Sequence, residues 1–277
     1  MPELPEVEFA RRLAVRVAVG RRIVDVWCAA DPIVFESPPP RVRAALLGRR
    51  VRAARRHGKH LWLELDQGPA LLMHFGMTGG LHVPSRPSLR LKSSRGTPPA
   101  GWPPRFAKLR FTFDDGGELA LADGRRLGRV RLRRDVRGEP PVSLLGFDAL
   151  HELPSPARFH ALVHERMAPM KALLLDQTFA AGVGNWIADE VLYQAGIDPR
   201  RPGRTLSVAE SSRVRARLRS VVRLAVRVGA DSDRFPRTWL FHHRWDHDPL
   251  ARTASGARLR WETIGGRTTA WAPSVQR

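Results

Sequence analysis

Residues 171–199 read KALLLDQTFAAGVGNWIADEVLYQAGIDP. The run from Lys171 through Leu175 to Gln177 has the texture of an apolar helix coming to its end. Gly182-Val183-Gly184-Asn185 is a glycine-rich turn, and Asn185 is a residue type that caps a following helix. Ile187, Val191 and Leu192 recur at helical spacing, so one face packs inward, and Gly196 followed by Pro199 stops the helix. The stretch therefore predicts helix, turn, helix. A glycine-rich turn at a helix start also presents backbone N–H groups to a phosphate. Taken alone, Gly-x-Gly-Asn is an ordinary link between two helices, so the rest of the chain must say what this one is for.

Charge bears on that question first. Of 277 residues, 47 are Lys or Arg and 27 are Asp or Glu, a formal net charge of +20. Such an excess suits a polyanionic partner, because basic groups displace counterions from a phosphate backbone. Lys59, Lys92, Lys108 and Lys171 are the only lysines, so GC-rich coding also inflates the Arg count without making every Arg a contact. Cys28 is the single cysteine, which excludes an internal disulfide and a thiolate zinc cluster. No apolar run approaches the roughly 18 residues of a membrane span, and the first residues lack the apolar stretch of a secretory signal.

N-terminal to the helical region, residues 21–135 read as short strands. Ile23–Trp27, Leu61–Leu65, Leu71–Phe75 and Leu109–Phe113 are short apolar or alternating runs, and Asp114-Asp115-Gly116-Gly117 is a hairpin signal. Successive short strands predict an antiparallel β-sandwich. Residues 84–104, rich in Pro, Ser, Arg and Gly, read as a loop. The expected fold class is α+β, with domains at 1–140 (sandwich), 157–239 (helical) and 240–277 (a terminal hairpin), and a proline-bearing linker at 141–156.

Ahead of the strands, Val7, Ala10, Leu13, Ala14 and Val17 form an apolar stripe over a helix at 5–18, with Glu8, Arg11 and Arg12 on its wet side and Gly20 at its end. Pro5 suits its first turn. Packing that stripe fixes the start of the chain, Met1-Pro2-Glu3-Leu4-Pro5-Glu6-Val7-Glu8. Pro2 is small enough to follow a cleavable initiator Met. Removal leaves a secondary α-amine, of pKa about 7.7–8.0 against about 10.4 for lysine. Much of it is free base near neutral pH, able to attack an electrophilic sugar carbon and form a Schiff base. Glu3 and Glu6 stand beside it as candidate acid–base groups. An isolated Pro2 would read as a tail with a helix-start proline, but the full string does not.

MPELPEVE resembles the opening of the formamidopyrimidine-DNA glycosylase / endonuclease VIII family of base-excision repair enzymes. Residues 171–199 resemble that family's helix–two-turn–helix. The resemblance implies a catalytic set of Pro2, Glu3, Glu6, Lys59 and Arg267. Lys59, after Arg55-Arg56-His57-Gly58, matches a basic hairpin that clamps phosphate and donates a proton in strand cleavage. Met77, in His74-Phe75-Gly76-Met77-Thr78-Gly79, matches a residue that fills the void left by a flipped nucleotide, consistent with apolar wedges that open a base stack. In Ala122-Asp123-Gly124-Arg125-Arg126-Leu127-Gly128, Arg125 takes the position facing the orphaned base and Leu127 replaces the expected Phe. Lys108, Asn185 and Arg267 complete the implied DNA-binding set.

The end of the chain departs from much of the family. Many members close with a four-cysteine zinc finger, but Ala272 and Val275 stand where its last two cysteines would be. His242, His243 and His247 lie upstream in a tryptophan-rich segment that suits packing or DNA contact. The resemblance is to the zincless-finger branch, with no metal or other cofactor expected and the hairpin held by Trp245, Trp261 and Trp271. The implied activity is a bifunctional glycosylase and abasic-site lyase, acting as a monomer on damaged double-stranded DNA, in the bacterial cytoplasm or nucleoid, or in a eukaryotic nucleus. The short Val228–Pro236 segment favours formamidopyrimidines and hydantoins over 8-oxoguanine. The competing reading is a non-catalytic nucleic-acid binder. Pro2, Glu3, Glu6 and Lys59 together argue against it, since binding alone needs none of them at the chain start.

Overall fold

In the computed structural model, which describes residues 1–84, 101–245 and 247–277, the chain begins with α1 (Leu4–Ala18). Pro5 lies in its first turn; Val7, Ala10, Leu13 and Ala14 of the expected stripe are buried, Val17 packs half-buried against the same core, and Ala18 joins them. One residue departs from expectation. Glu8 is buried rather than on the wet face, because its carboxylate is the ion-pair partner of Arg11, Arg12 and the buried Arg56. The expected loop over 84–104 lies largely outside the described residues.

After α1 come β1 (Ile23–Cys28), α2 (Pro39–Leu46), β2 (Val51–His57), β3 (His60–Leu65), β4 (Ala70–His74), β5 (Gly80–His82), β6 (Ala107–Phe113), β7 (Glu118–Ala122) and β8 (Arg129–Arg133). They make two four-stranded antiparallel sheets, ordered β1-β6-β7-β5 and β2-β3-β4-β8. Ile23, Leu109, Phe111 and Leu121 of the first sheet share one core with Val51, Leu61, Leu71 and Met73 of the second and with the α1 stripe. Two sheets closing on one apolar layer make a sandwich. The helix carrying the chain start is part of that core, so Pro2 and Glu3 have a fixed address.

The chain divides into two units, Met1–Leu144 and Leu145–Arg277. The second contains β9 (Phe147–Asp148), α3 (Pro156–His164), α4 (Met170–Leu175), β10 (Ala180–Ala181), α5 (Asn185–Ala195), α6 (Val208–Arg227), β11 (Arg260–Ile264) and β12 (Arg267–Trp271). Within the 141–156 stretch expected as linker, β9 pairs in parallel with β10. α5 ends on Gly196 in the left-handed conformation, φ +69°, a glycine C-cap. α6 opens with a capping box between Ser207 and Glu210. Rings of Trp186, Phe235, Trp239 and Phe241 interlock at centroid distances of 4.9–6.4 Å. No helix among the described residues is long and apolar enough to cross a membrane.

Candidate active site and nucleic-acid contacts

The first turn of α1 is built by the chain start itself. Glu3 precedes the helix, and Glu3 and Glu6 form a reciprocal capping arrangement in which the Glu3 backbone N–H donates to Glu6 Oε2 at 2.9 Å. Pro2 and Glu3 are buried. Burial, and then the Glu3 charge, push the Glu6 carboxyl up to about 7. Burial also holds the Met1 amine below its ordinary value of 8.0, against the opposing pull of Glu3 and Glu6, while Lys59 and Arg125 push in the same direction as burial. An amine tuned towards its free base, two carboxyls and two cations thus share one neighbourhood.

Lys59 occupies a two-residue turn closed by the His57–His60 pair, with Gly58 at φ +54°. Arg56 ties this turn to α1. Its Nε donates to Glu8 Oε2 at 3.2 Å and its Nη1 donates to the Gly58 carbonyl at 2.9 Å. A buried ion pair thereby links the helix bearing Pro2 to the hairpin bearing Lys59. Sequence reading assigned Glu8 to solvent and missed this; Glu8 and Arg56 are 48 residues apart, and only strand pairing brings them together.

The turn with Met77 follows β4 directly. Gly76 has φ +60°, and a Cβ there would stand 2.4 Å from the Leu127 carbonyl carbon, so only glycine lets the two turns touch. Asp123 closes the second turn, accepting from Arg125 N at 3.1 Å and Gly128 N at 2.7 Å. Arg125 and Leu127 are exposed and Met77 is half-buried. The three implied void-fillers therefore rest on two abutting turns. His74 was not assigned a role from sequence. Its Nδ1 accepts from Gly76 N at 3.2 Å, and its ring lies 4.9 Å from that of His60. Burial lowers His74 to about 4 and His60 to about 3, so both are neutral at physiological pH and Nδ1 is free to accept. Lys108, expected as a DNA contact, is engaged within the chain: its Nζ is 2.8 Å from Asp31 Oδ2 and its side chain is 14% exposed.

In the second unit, Asn185 is the first residue of α5 rather than its cap; Gly184 precedes the helix. The Asn185 amide instead donates to the Thr268 carbonyl at 2.9 Å, joining the α4–α5 turn to β12. The hairpin turn Gly265-Gly266 has φ +58° and +71°, the pattern of a tight type I′ turn, and Arg267 is exposed just after it. Trp261 donates to the Arg244 carbonyl and Arg200 stacks over Trp271 at 4.5 Å. What sequence reading missed is a buried charge cluster. Asp189 pairs through Oδ1 with Lys171, and its Oδ2 accepts from Arg244 Nη2 at 2.6 Å and Ala270 N at 3.2 Å. The residues at the finger do not suit zinc. Ala272 is packed with Leu240 and Leu259, Val275 offers no donor, and no group of three or more metal-ligating side chains occurs among the described residues.

Known sequences and structures give the same outline. The pattern of the formamidopyrimidine-DNA glycosylase N-terminal domain matches residues 1–130, and that of the formamidopyrimidine-DNA glycosylase H2TH domain matches 145–236. A formamidopyrimidine-DNA glycosylase of Arabidopsis thaliana is 38% identical, covering 100% of this chain and 71% of the relative. One from Pelobacter propionicus is 32% identical over 100% of both. In fold, the chain is similar to a Lactococcus lactis formamidopyrimidine DNA glycosylase solved non-covalently bound to DNA containing an abasic site, with TM-score 0.80 and 23% identity over 99% of each chain.

Proposed function

The chain belongs to the formamidopyrimidine-DNA glycosylase family, and from that premise we propose that it excises oxidised and ring-opened purines from duplex DNA and cleaves the resulting abasic site through a Schiff base on Pro2. The observation that carries the reading is the placement of the chain start: Pro2 and Glu3 are buried at the head of α1, and the charges of Glu3, Glu6, Lys59 and Arg125 all bear on the adjoining Met1 amine. After loss of Met1, the Pro2 nitrogen attacks C1′ of the damaged nucleotide. The glycosidic bond breaks, and the base leaves with its electron pair and takes up a proton. The nitrogen then loses its proton as the C1′–O4′ bond opens to an iminium, and Glu3 supplies the proton that O4′ gains. The iminium acidifies C2′, whose proton is lost as the 3′ phosphate departs; a second elimination releases the 5′ phosphate. Lys59 holds a phosphate and returns a proton to the leaving group. Asn185 and Arg267 hold phosphates from the second unit.

Met77, Arg125 and Leu127 fill the space of the flipped nucleotide. The short Val228–Pro236 segment, which contains one 3-10 turn at Ser232–Arg234, supports a preference for ring-opened lesions and hydantoins over 8-oxoguanine. Borohydride trapping on a damaged duplex tests the reading, with mass spectrometry confirming removal of Met1. The wild type should yield one covalent adduct mapping to Pro2, and protein whose terminal nitrogen is blocked by an uncleaved N-terminal extension should yield none. Trapping that persists with a blocked terminal amine refutes the Schiff base. Side-by-side excision of the three lesion classes tests the preference.

A further inference from the structure

Arg126 lies between the two exposed residues Arg125 and Leu127, at φ +56°, a left-handed backbone that L residues other than Asn and Asp rarely adopt. Something must hold it there, and its side chain shows what. Nε donates to Asp31 Oδ2 at 2.9 Å and Nη2 to Asp31 Oδ1 at 3.0 Å, a two-pronged fork across 95 residues of sequence. Asp31 is buried, and it also takes Lys108 Nζ at 2.8 Å and the backbone N–H groups of Ile33 and Val34 at 3.1 and 3.3 Å. The Arg126 and Lys108 donors hold its carboxyl far below the usual carboxylate range, so the fork persists throughout the working pH range.

The other sides of the loop are fixed as well. Asp123 closes the turn from within, and the Gly76 backbone abuts Leu127. A Cβ on Gly124 would stand 3.0 Å from the Phe106 ring, so that ring covers the loop's fourth side. Arg126 is itself half-exposed, with 48% of its side chain accessible, so its ion pair adds little to global stability. What it does control is the backbone on which its two neighbours are mounted.

The geometry assigns Asp31 as a positioning residue. Together with Arg126 and Lys108 it locks the Ala122–Gly128 loop, so that Arg125 and Leu127 are already arranged when a nucleotide leaves the stack, and the reading of the opposite base depends on that arrangement. A loop ordered in advance does not lose conformational freedom at the moment of binding. This assignment rests on the reading that Arg125 and Leu127 enter the duplex.

Two full-length variants break the lock in different ways. Asp31→Asn weakens the fork. Arg126→Gly removes it while leaving a residue at ease with positive φ, so the backbone itself is not strained. Single-turnover excision is measured on the same lesion in duplex, opposite each of two bases, and beside it cleavage of a preformed abasic site in single-stranded DNA. Both variants should lose on the order of tenfold on duplex, with the preference between opposite bases shrinking, while single-strand cleavage stays within about twofold. Retained duplex excision and discrimination, or an equal fall on both substrates, overturns the assignment. Arg125→Ala and Leu127→Ala run alongside separate it from its premise. If they impair duplex excision and the lock variants do not, only the lock fails. If they too leave duplex excision intact, the entry of these residues into the duplex fails and the lock falls with it.

Discussion

The residue whose setting says most about chemistry is Glu6. A carboxyl moved from 4.5 to about 7 is close to half-protonated at neutral pH and can exchange protons readily there. The excision rate should therefore show an ionisation near 7 that belongs to the Glu3–Glu6 pair, and Glu6→Gln should remove or displace it. A pH–rate series checks this; an unchanged profile in the variant denies the pair a role. The same shift makes a stability statement. The folded carboxyl binds its proton more tightly than the unfolded one, so this contribution is fully present below the unfolded value and is lost as pH rises from 4.5 through about 7. Glu6→Gln, which carries no charge to bury, should gain on wild type between pH 5 and pH 8, by about 3 kcal/mol at most in denaturant titrations. Met77 offers a second test at this scale. Met77→Ala should slow excision from duplex much more than cleavage of a flexible single-stranded abasic site, and equal slowing would mark Met77 as a packing residue.

Among the elements, the finger hairpin shows what can hold this structure without metal. Asp189 on α5 reaches the β12 backbone at Ala270, the Arg244 guanidinium and the Lys171 ammonium, and all three charged side chains are buried. Asp189→Asn would leave two cations short of a carboxylate, at a cost of about 3–5 kcal/mol, visible as a lowered melting temperature of the whole chain. Chelators should leave melting and activity unchanged. The turn of the hairpin divides two adjacent glycines. A Cβ on Gly265 would stand 2.9 Å from Ala172 Cβ on α4, whereas a Cβ on Gly266 would meet nothing within 4 Å, although both have positive φ. Gly265→Ala should therefore weaken duplex binding and stability more than Gly266→Ala; equal effects would mean that contact with α4 is unimportant. The elements themselves were legible where periodicity is local. The α1 stripe and the α5 helix with its Gly196 stop needed only spacing. The clusters at Glu8–Arg56, Asp31–Arg126 and Asp189–Arg244 were not legible, because each joins residues 48 to 95 positions apart and nothing local distinguishes their acids from solvated ones. Asn185 shows the same limit: its type and place suggested a cap, and only the arrival of β12 gives its amide another acceptor.

For the molecule as a whole, a net charge of +20 foretells a polyanionic partner but not where it is met. Some of the arginines are committed to carboxylates within the chain: Arg56 and Arg244 are buried, Arg201 is half-buried and Arg126 half-exposed. α6 differs. Its only acid is Glu210, which is bound to Arg201, while Arg213, Arg217, Arg219, Arg223 and Arg227 are exposed along its outer side. The pairs Arg213/Arg217, Arg215/Arg219, Arg219/Arg223 and Arg223/Arg227 are like charges four residues apart, each destabilising a helix by roughly 0.2–0.5 kcal/mol. GC-rich coding explains Arg in place of Lys; it does not explain Arg at every charged position after Glu210. A duplex passing this face would turn the repulsion into counterion release. Replacing Arg219 and Arg223 with Gln removes three of the four repulsive pairs and keeps helix propensity nearly constant. Melting temperature should then rise while affinity for long undamaged duplex falls, and the slope of log affinity against log salt should become shallower by about 1.8 if both side chains meet phosphates. Unchanged slope with raised stability would make the α6 arginines a solvated face, and leave the binding charge to Lys59, Arg125 and Arg267.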